Sequence, residues 1–253
     1  MTPREKELLE QIRATYSQLD GWFARTSRQV ETPQPGSELF VDDKVFPHSP
    51  ISEIARISLA VSVENLRMIR VVIETGNLFP TAMFPPLRAA LVGAAQAVWI
   101  LSPDVAAHRR ERALTVIAEE YAQLGKYYRE GEKLQAGEVP ADQWDWLNGR
   151  MGVLAALRGP KPARLVQTAM IAAALDAAFP GSPEKQHSGR LLWRQTSADA
   201  HVLVWGLAQR SSVQERPQRG NELAVLAAPG SLEHVAEAFL CAFELVRRGW
   251  TLF

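Results

Sequence analysis

Apolar residues recur at helical spacing over long stretches of this chain, and no stretch of comparable length alternates apolar and polar residues as a half-buried strand does. Between Ser52 and Thr75 the apolar faces include Ile54, Ile57, Val61, Leu66, Ile69 and Ile73. They fall on the faces of a helix with about 3.6 residues per turn. Gly76 follows where a helix commonly ends. This pattern predicts a long helix over 52–75 and favours an all-α fold.

The same periodicity, read with prolines and capping residues, predicts eight helical segments in all. Beside 52–75 they are 3–30, 86–101, 103–135, one opened by Pro140, 163–179, 189–210 and 231–249. Ser102 and Pro103 are predicted to cap and open the segment that starts there, and Ser231 to cap the last. Residues 38–50 are predicted to be an irregular or partly extended loop. The run E-L-A-V-L-A at 222–227 is predicted to be extended.

Small side chains mark the segment 86–101 as the centre of the bundle. They are Ala89, Ala90, Gly93, Ala94, Ala95 and Ala97. Small residues let helices approach closely, and a proline-rich corner, N-L-F-P-T-A-M-F-P-P, precedes this helix. We predict one all-α domain over 1–253, with an N-terminal helix and loop arm at 1–50, a helical bundle at 51–253 and a short irregular segment before the last helix.

The charge balance and the absence of known motifs argue against several classes of function. Lys+Arg and Asp+Glu both number 28, so the chain lacks the overall positive charge of a bulk nucleic-acid binder and shows no DNA-binding signature, although a local basic cleft is still compatible. Cys241 is the one cysteine, and no zinc-binding, nucleotide-binding or hydrolase motif occurs. We therefore expect no cofactor and no metal.

The cellular setting is also predicted from the sequence. A single cysteine suits a reducing compartment, and the charged N-terminal stretch M-T-P-R-E-K-E has no apolar signal core. The longest apolar run, 89–101, is shorter than the roughly 20 residues that a membrane-spanning helix needs. We expect a cytoplasmic protein with no membrane segment.

Polar residues interrupt the apolar segment 189–210 at a regular spacing. Arg194, Ser197 and His201 lie at i, i+3 and i+7, so they share one face of a helix; we call them the Arg/Ser/His stripe. Trp193, Val204, Trp205 and Ala208 flank or continue this face, whereas Gln195, Asp199 and Arg210 lie opposite. This projection predicts that the stripe faces protein and that the opposite side faces solvent.

Two interpretations of the stripe follow. A buried arginine and histidine need partners, and carboxylates such as Glu64 or Glu74, or the same stripe on a second subunit, would supply them. The stripe would then be a packing network in a non-catalytic interaction bundle or a small-ligand-binding bundle. In the other interpretation the stripe lines a cleft or dimer interface, where arginine binds phosphate and histidine transfers protons.

The spacing R-x6-H on a late helix of an all-helical bundle resembles the HEPN superfamily. The run L-R-A-A-L-V-G-A-A-Q-A-V-W-I-L-S-P at 87–103, followed by R-R-E-R-A-L, is similar to uncharacterised actinobacterial helical proteins that pair such a segment with a later S-x-x-x-H, here Ser197 and His201. The resemblance implies a HEPN-like fold, a homodimer and RNA cleavage without metal. It assigns His201 as general acid or base, Arg194 as the phosphate-stabilising cation and Ser197 as a positioning hydrogen-bonder.

Two positions depart from these patterns. Gln195 follows the arginine where the ribonucleases often have Asn, Asp or His, and Val92 stands where the related helical proteins have an acid after A-A-L. If that acid normally pairs with the arginine or the histidine, the site is altered in this chain.

Other polar clusters have a structural explanation beside a functional one. Asp104 and His108 are spaced as a metal pair, but also as a first-turn acid and a surface histidine. The run H-R-R-E-R at 108–112 fits RNA phosphates or a solvated helix face. Cys241 on an apolar helix is predicted to be a buried small hydrophobe.

Overall fold

Helices form most of the described chain. The computed structural model describes residues 1–28, 30–134, 139–210, 214–216, 225–227 and 230–253. The helices are α1 (Pro3–Ala14), α2 (Tyr16–Arg28), α3 (Glu38–Asp43), α4 (Ile51–Glu74), α5 (Phe84–Leu101), α6 (Ala106–Gly131), α7 (Ala141–Arg158), α8 (Gln167–Ala178), α9 (Pro183–Ala200), α10 (Val204–Ala208) and α11 (Leu232–Leu252). The all-α bundle prediction is confirmed, with eleven helices in these ranges where eight were expected.

Two short strands precede the last helix. β1 (Gln214–Arg216) pairs with β2 (Val225–Ala227) in antiparallel register, Glu215 opposite Leu226. The extended run predicted at 222–227 is confirmed for residues 225–227. Its residues 222–224 lie outside the described part of the chain.

The helix α5 lies at the centre, packed against α4, α6, α8, α9 and α11. Gly93 explains how closely α4 approaches, because a Cβ added there would lie 2.6 Å from Ser62 Oγ and 2.7 Å from the carbonyl oxygen of Ser58. The prediction of a central, small-residue helix is confirmed.

Among the described helices, α5 is also the one that is long and apolar enough to cross a membrane by length and composition alone. More than half of that stretch is buried inside the bundle. Its position at the centre of the core accounts for this apolarity.

The first 50 residues pack on the bundle. α1 contacts α11, α2 contacts α4, and Leu8, Ile12 and Leu19 are buried. The loop predicted at 38–50 is wrong for its first part, because α3 forms there. The Ser37 hydroxyl accepts a hydrogen bond from the Phe40 amide and caps this helix, which is too short to show a periodic pattern.

Buried charge ties α3 to the start of α6. Asp42 is fully buried, and its carboxylate accepts from Arg109 Nε at 2.8 Å and from Arg110 Nε at 2.7 Å. Arg109 also donates to the carbonyl oxygens of Pro103 and Asp104. The basic run at 108–112 is therefore largely part of the packing of the bundle.

The predicted start of α6 at Ser102 and Pro103 is wrong. Ser102 ends α5, and α6 begins at Ala106. Arg112 Nη1 donates to the carbonyl oxygen of Trp99 at 2.6 Å and to Ser102 Oγ at 3.3 Å. These bonds satisfy groups at the carboxyl end of α5, so Ser102 serves the preceding helix.

The predicted single helix 189–210 is divided in two. α9 ends at Ala200, and α10 begins at Val204 after a reversal over His201–Leu203, which we call the α9–α10 elbow. Gly206 then packs on α9, since a Cβ added there would lie 2.8 Å from Ala198 Cβ. Residues beyond the elbow therefore do not continue the helical faces of α9.

Candidate functional site

The Arg/Ser/His stripe faces outward, and the prediction that it faces protein is wrong. Arg194 and His201 are exposed and Ser197 is half-buried. The core face of α9 is formed instead by Gly189, Leu192 and Thr196. Because Arg194 and His201 lie in solvent, neither belongs to a buried packing network.

The proposed carboxylate partners of the stripe lie elsewhere. Glu74 binds Arg13 through two hydrogen bonds of 3.0 and 2.8 Å and accepts from Tyr16 Oη at 2.9 Å. Glu64 is exposed on α4. The stripe is therefore not neutralised by either of these acids.

Three helices meet at Arg88, the one charged residue of α5. Its Nε donates to Ser197 Oγ at 3.1 Å, and its Nη2 donates to Gln167 Oε1 at 2.9 Å. We call this set the Arg88 junction (Arg88, Gln167, Ser197). Both hydrogen-bond acceptors are neutral, so these bonds hold the guanidinium in place without cancelling its charge.

Val92 lies one turn after Arg88 on α5, half-buried against the hydrophobic core. An acid at this position would be one helical turn from the guanidinium. Because Val92 is neutral, it supplies no counter-charge to Arg88. The two segments that carry the resemblance, 87–103 and 197–201, contact each other through the hydrogen bond between Arg88 and Ser197.

Further cations lie close to the Arg88 junction in sequence. The connection from α7 to α8 carries Arg158, Lys161 and Arg164, and residues 158–175 contain no Asp or Glu. This connection runs directly into Gln167, the first residue of α8. Arg194 is exposed one helical turn before Ser197 on α9, so a second cation lies near the junction although the whole chain is neutral.

Asp199 and Arg210 are also misplaced by the sequence projection, which put them in solvent. Their side chains are 3% and 6% exposed and form a buried ion pair. Arg210 also donates to the carbonyl oxygen of Pro80, and its guanidinium lies 4.0 Å from the ring centroid of Phe84. The pair joins the two sides of the α9–α10 elbow and fastens them to the proline-rich corner.

Burial changes the protonation behaviour of this cluster. It raises the pKa of Asp199, although the hydrogen bond from Arg210 acts in the opposite direction. Burial also lowers the pKa of the half-buried His234, and the positive charge of Arg210 adds to this effect. Both groups are therefore shifted toward their neutral forms by burial.

The α9–α10 elbow has a strained backbone. Val202 has a φ of +58°, the left-handed conformation that glycine normally supplies at a helix end. The Leu203 amide donates to the carbonyl oxygen of Ala198 at 2.8 Å, and the Val202 amide donates to that of Asp199 at 3.1 Å. These two bonds close a helix end of the Schellman type around a β-branched residue.

Replacing Val202 with glycine is expected to raise the free energy of unfolding by about 1 kcal/mol. The left-handed conformation costs an L-residue roughly 1–2 kcal/mol, and the greater chain entropy of glycine removes part of that gain. Val202 is 89% exposed, so the substitution removes little packing. Urea denaturation monitored by circular dichroism measures the difference.

The matched control is Val204→Gly, two residues away. Val204 is 71% exposed but lies in α10, where glycine lowers helix stability. The strain interpretation is rejected if both glycine variants lose stability to a similar extent.

The remaining predicted candidates contribute less to a site. Asp104 and His108 are exposed, and no group of three metal-binding side chains occurs within the described ranges. Burial raises the pKa of Cys241 to about 12. Its thiol therefore stays protonated near neutral pH, which agrees with the prediction of a small hydrophobe and not with a reactive nucleophile.

Comparison of the chain with protein-family models, with curated proteins and with solved structures gave no match.

Arg88 is the site residue that the sequence interpretation did not select. The run L-R-A-A-L contains it, yet the predicted site was placed on the later stripe alone. A single charge in an otherwise uncharged, small-residue helix was the available signal, because such a charge must find partners where neighbouring helices meet.

Proposed function

We propose that this chain is an RNA-binding helical bundle whose phosphate-binding surface is centred on the Arg88 junction. The observation that carries the proposal is the guanidinium of Arg88, positioned by Ser197 and Gln167 and not by an acid. An arginine fixed by neutral partners is preorganised for phosphate, since its charge is available and its orientation is set.

The distribution of charge supports an anionic partner. Lys161 and Arg164 precede Gln167 in sequence without an intervening acid, and Arg194 is exposed on the neighbouring helix. Arg158 adds less, because its guanidinium donates to the carbonyl oxygen of Ala163 and interacts with the charge of Glu111. Arg190 adds less, because it forms an ion pair with Asp176 at 2.5 Å. A local basic surface on a neutral chain favours contact along one stretch of RNA backbone over general nucleic-acid binding.

The exposure of His201 is compatible with a catalytic role, as the resemblance to the HEPN superfamily implies. His201 would act as general acid or base at a ribose 2′-hydroxyl, with Arg194 on the phosphate and Ser197 holding Arg88. Seven residues of helix separate Arg194 from His201 by about 10 Å along the axis. At this separation the two side chains are better placed to contact different parts of a bound RNA strand than to act together on one phosphate. RNA binding is therefore the primary proposal, and RNA cleavage without metal is the secondary one.

One observation favours the alternative interpretation, a non-catalytic packing network. Ser197 does join α9 to α5 through Arg88, whereas Arg194 and His201 are exposed. The network would therefore consist of the Arg88 junction and not of the whole stripe. Under this alternative, substitution of Arg194 has no effect on any RNA measurement.

Arg194→Ala is expected to weaken binding of a 5′-labelled single-stranded RNA of about 20 nucleotides at least tenfold, because a charge-assisted bond contributes about 1.5–3 kcal/mol and each 1.4 kcal/mol is a factor of ten. The slope of log affinity against log salt should fall by about 0.7 in magnitude for each phosphate that the variant no longer binds. Fluorescence anisotropy in EDTA at three salt concentrations measures both quantities. Gel analysis of the same mixtures reports cleavage, which His201→Ala should abolish if the secondary proposal holds.

Arg129→Ala is the matched control, since Arg129 is an exposed arginine on α6. His108→Ala serves the same purpose for the exposed histidine. The RNA proposal fails if the unsubstituted protein shows no salt-dependent binding, or if Arg194→Ala and Arg129→Ala weaken binding equally. Binding without cleavage would leave the binding proposal standing and remove the catalytic one.

A further inference from the structure

The solvent-facing side of α4 is apolar over four turns. Between residues 57 and 71 its exposed positions are Ile57, Val61, Glu64, Met68 and Val71, which we call the α4 line. The four apolar members are 46%, 42%, 47% and 64% exposed in that order. A helix face that stays in water is normally polar, so this face has the composition of a contact surface.

The spacing of the α4 line identifies the shape of what covers it. Its members follow one another at intervals of 4, 3, 4 and 3 residues, the repeat of a seam between two coiled helices. The line extends about 21 Å along the axis, at 1.5 Å per residue. A long, straight and narrow apolar line of this repeat fits a second helix.

We propose that a second copy of this chain covers the α4 line, with the two α4 helices antiparallel across a twofold axis. Glu64, the one charged member of the line, decides the orientation. Parallel helices would place Glu64 opposite Glu64 of the second copy, with like charges in an apolar seam. Antiparallel helices place Glu64 opposite Met68 of the second copy and beside its Arg67.

The twofold axis makes every contact occur twice. In the register that joins Glu64 to Met68, Val61 of each copy lies opposite Val71 of the other. Two ion pairs between Glu64 and Arg67 then flank the centre of the seam. The neighbouring register, with Glu64 opposite Val61, brings no cation to Glu64, so charge complementarity selects the first.

A groove beside the α4 line widens the contact surface. It has a volume of about 600 Å³ and is lined by residues of α2 and α4, among them Asp20, Phe23, Met68 and Val71. The guanidinium of Arg67 lies 3.7 Å from the ring centroid of Phe23 and bonds to Asp20 at 3.2 Å, which holds it at the edge of the line. A stable interface needs about 800 Å² per partner, so the proposed contact uses the groove as well as the α4 line.

Sedimentation velocity and light scattering of the full chain between 1 and 100 µM test the proposal. The unsubstituted protein is expected to be a dimer, and Val61→Glu should weaken its association at least tenfold. Glu64→Arg and Arg67→Glu should each weaken it at least tenfold, because each creates a like-charge pair. The double variant E64R/R67E, and an equimolar mixture of the two single variants, should both recover the dimer.

Val153→Glu is the matched control, because Val153 is 48% exposed on α7, away from the α4 line. Circular dichroism confirms that each variant is folded, which matters most for Arg67→Glu since it also loses Asp20. A monomeric unsubstituted protein at 100 µM overturns the proposal, and so does a dimer that Val61→Glu leaves intact. Failure of both charge-swapped combinations to recover the dimer overturns the antiparallel register. RNA enters none of these measurements, so they are independent of the proposed function.

Discussion

Replacing Asp42 with alanine is expected to lower the free energy of unfolding by about 3–5 kcal/mol. The carboxylate is fully buried and binds both Arg109 and Arg110. Its removal leaves the side chain of Arg109, which is 7% exposed, without its buried counter-charge and paired with Glu38, whose side chain is 77% exposed. Breaking a buried pair from one side costs this much because the remaining charge keeps its desolvation penalty.

Chemical denaturation of the variant measures the loss. Glu7→Ala is the matched control, since the ion pair between Glu7 and Arg4 is more than half exposed on both sides and contributes at most about 1 kcal/mol. The double variant Asp42→Leu with Arg109→Met should recover a large part of the stability, because it removes the buried pair together and leaves Arg110, which is 34% exposed, to be solvated. Equal losses in Asp42→Ala and Glu7→Ala would contradict the structural role assigned to Asp42.

Replacing Gly93 with alanine is expected to cost about 1–3 kcal/mol, as overpacking of a core does. The added Cβ would lie 2.7 Å from the carbonyl oxygen of Ser58. A backbone atom cannot rotate away as a flexible side chain can, so α4 and α5 must separate. The same separation would weaken the packing along the most extensive helix pair of the bundle.

Gly149→Ala supplies a control of opposite sign. Gly149 lies in the middle of α7, and a Cβ added there meets no atom within 4 Å. Alanine in a helix interior is favoured over glycine by about 0.5–1 kcal/mol, so this variant should be more stable than the unsubstituted protein. If Gly93→Ala is as stabilising as Gly149→Ala in urea denaturation, the close approach of α4 and α5 is wrong.

Helix positions were predictable wherever apolar spacing alone determined them. The long helix α4 was predicted over 52–75 and found at Ile51–Glu74, with Gly76 at a φ of +72° just beyond its end. α5 was predicted to be central from its small residues and is central. α3 was not predicted because six residues show no period, and its contacts with α6 run through the pairing of Asp42 with Arg109 and Arg110, which lie far away in sequence.

The orientation of α9 was not predictable by polarity. The projection treated Asp199 and Arg210 as solvent-facing because they are charged, but the two neutralise each other inside the protein. It also extended the helix through Val204 and Trp205, whereas Val202 adopts a left-handed conformation that nothing in its side chain signals. Each error comes from one assumption of a helical projection. The first is that charged residues are unpaired and therefore face solvent, and the second is that the helix is continuous.

The sequence indicated the two segments that form the site, but not that they contact each other. The segments containing Arg88 and Ser197 were both recognised as informative, and their contact requires the packing of α5 against α9. A distance of 109 residues in sequence cannot be bridged by local patterns. Lys161 and Arg164 are visible in the sequence before Gln167, but their relation to Arg88 depends on the packing of α8 against α5.

The burial of α5 has a consequence for synthesis of the protein. This helix emerges from the ribosome long before α8, α9 and α11, which cover much of its surface. About 130 residues separate Leu101 from Leu232, and at about 5–20 residues per second their translation takes roughly 7–26 s. During that interval a helix apolar enough to cross a membrane is covered mainly by α4 and α6. We therefore expect the nascent chain to expose part of α5 until its last helices are made, and exposed apolar surface of this kind is what chaperones bind.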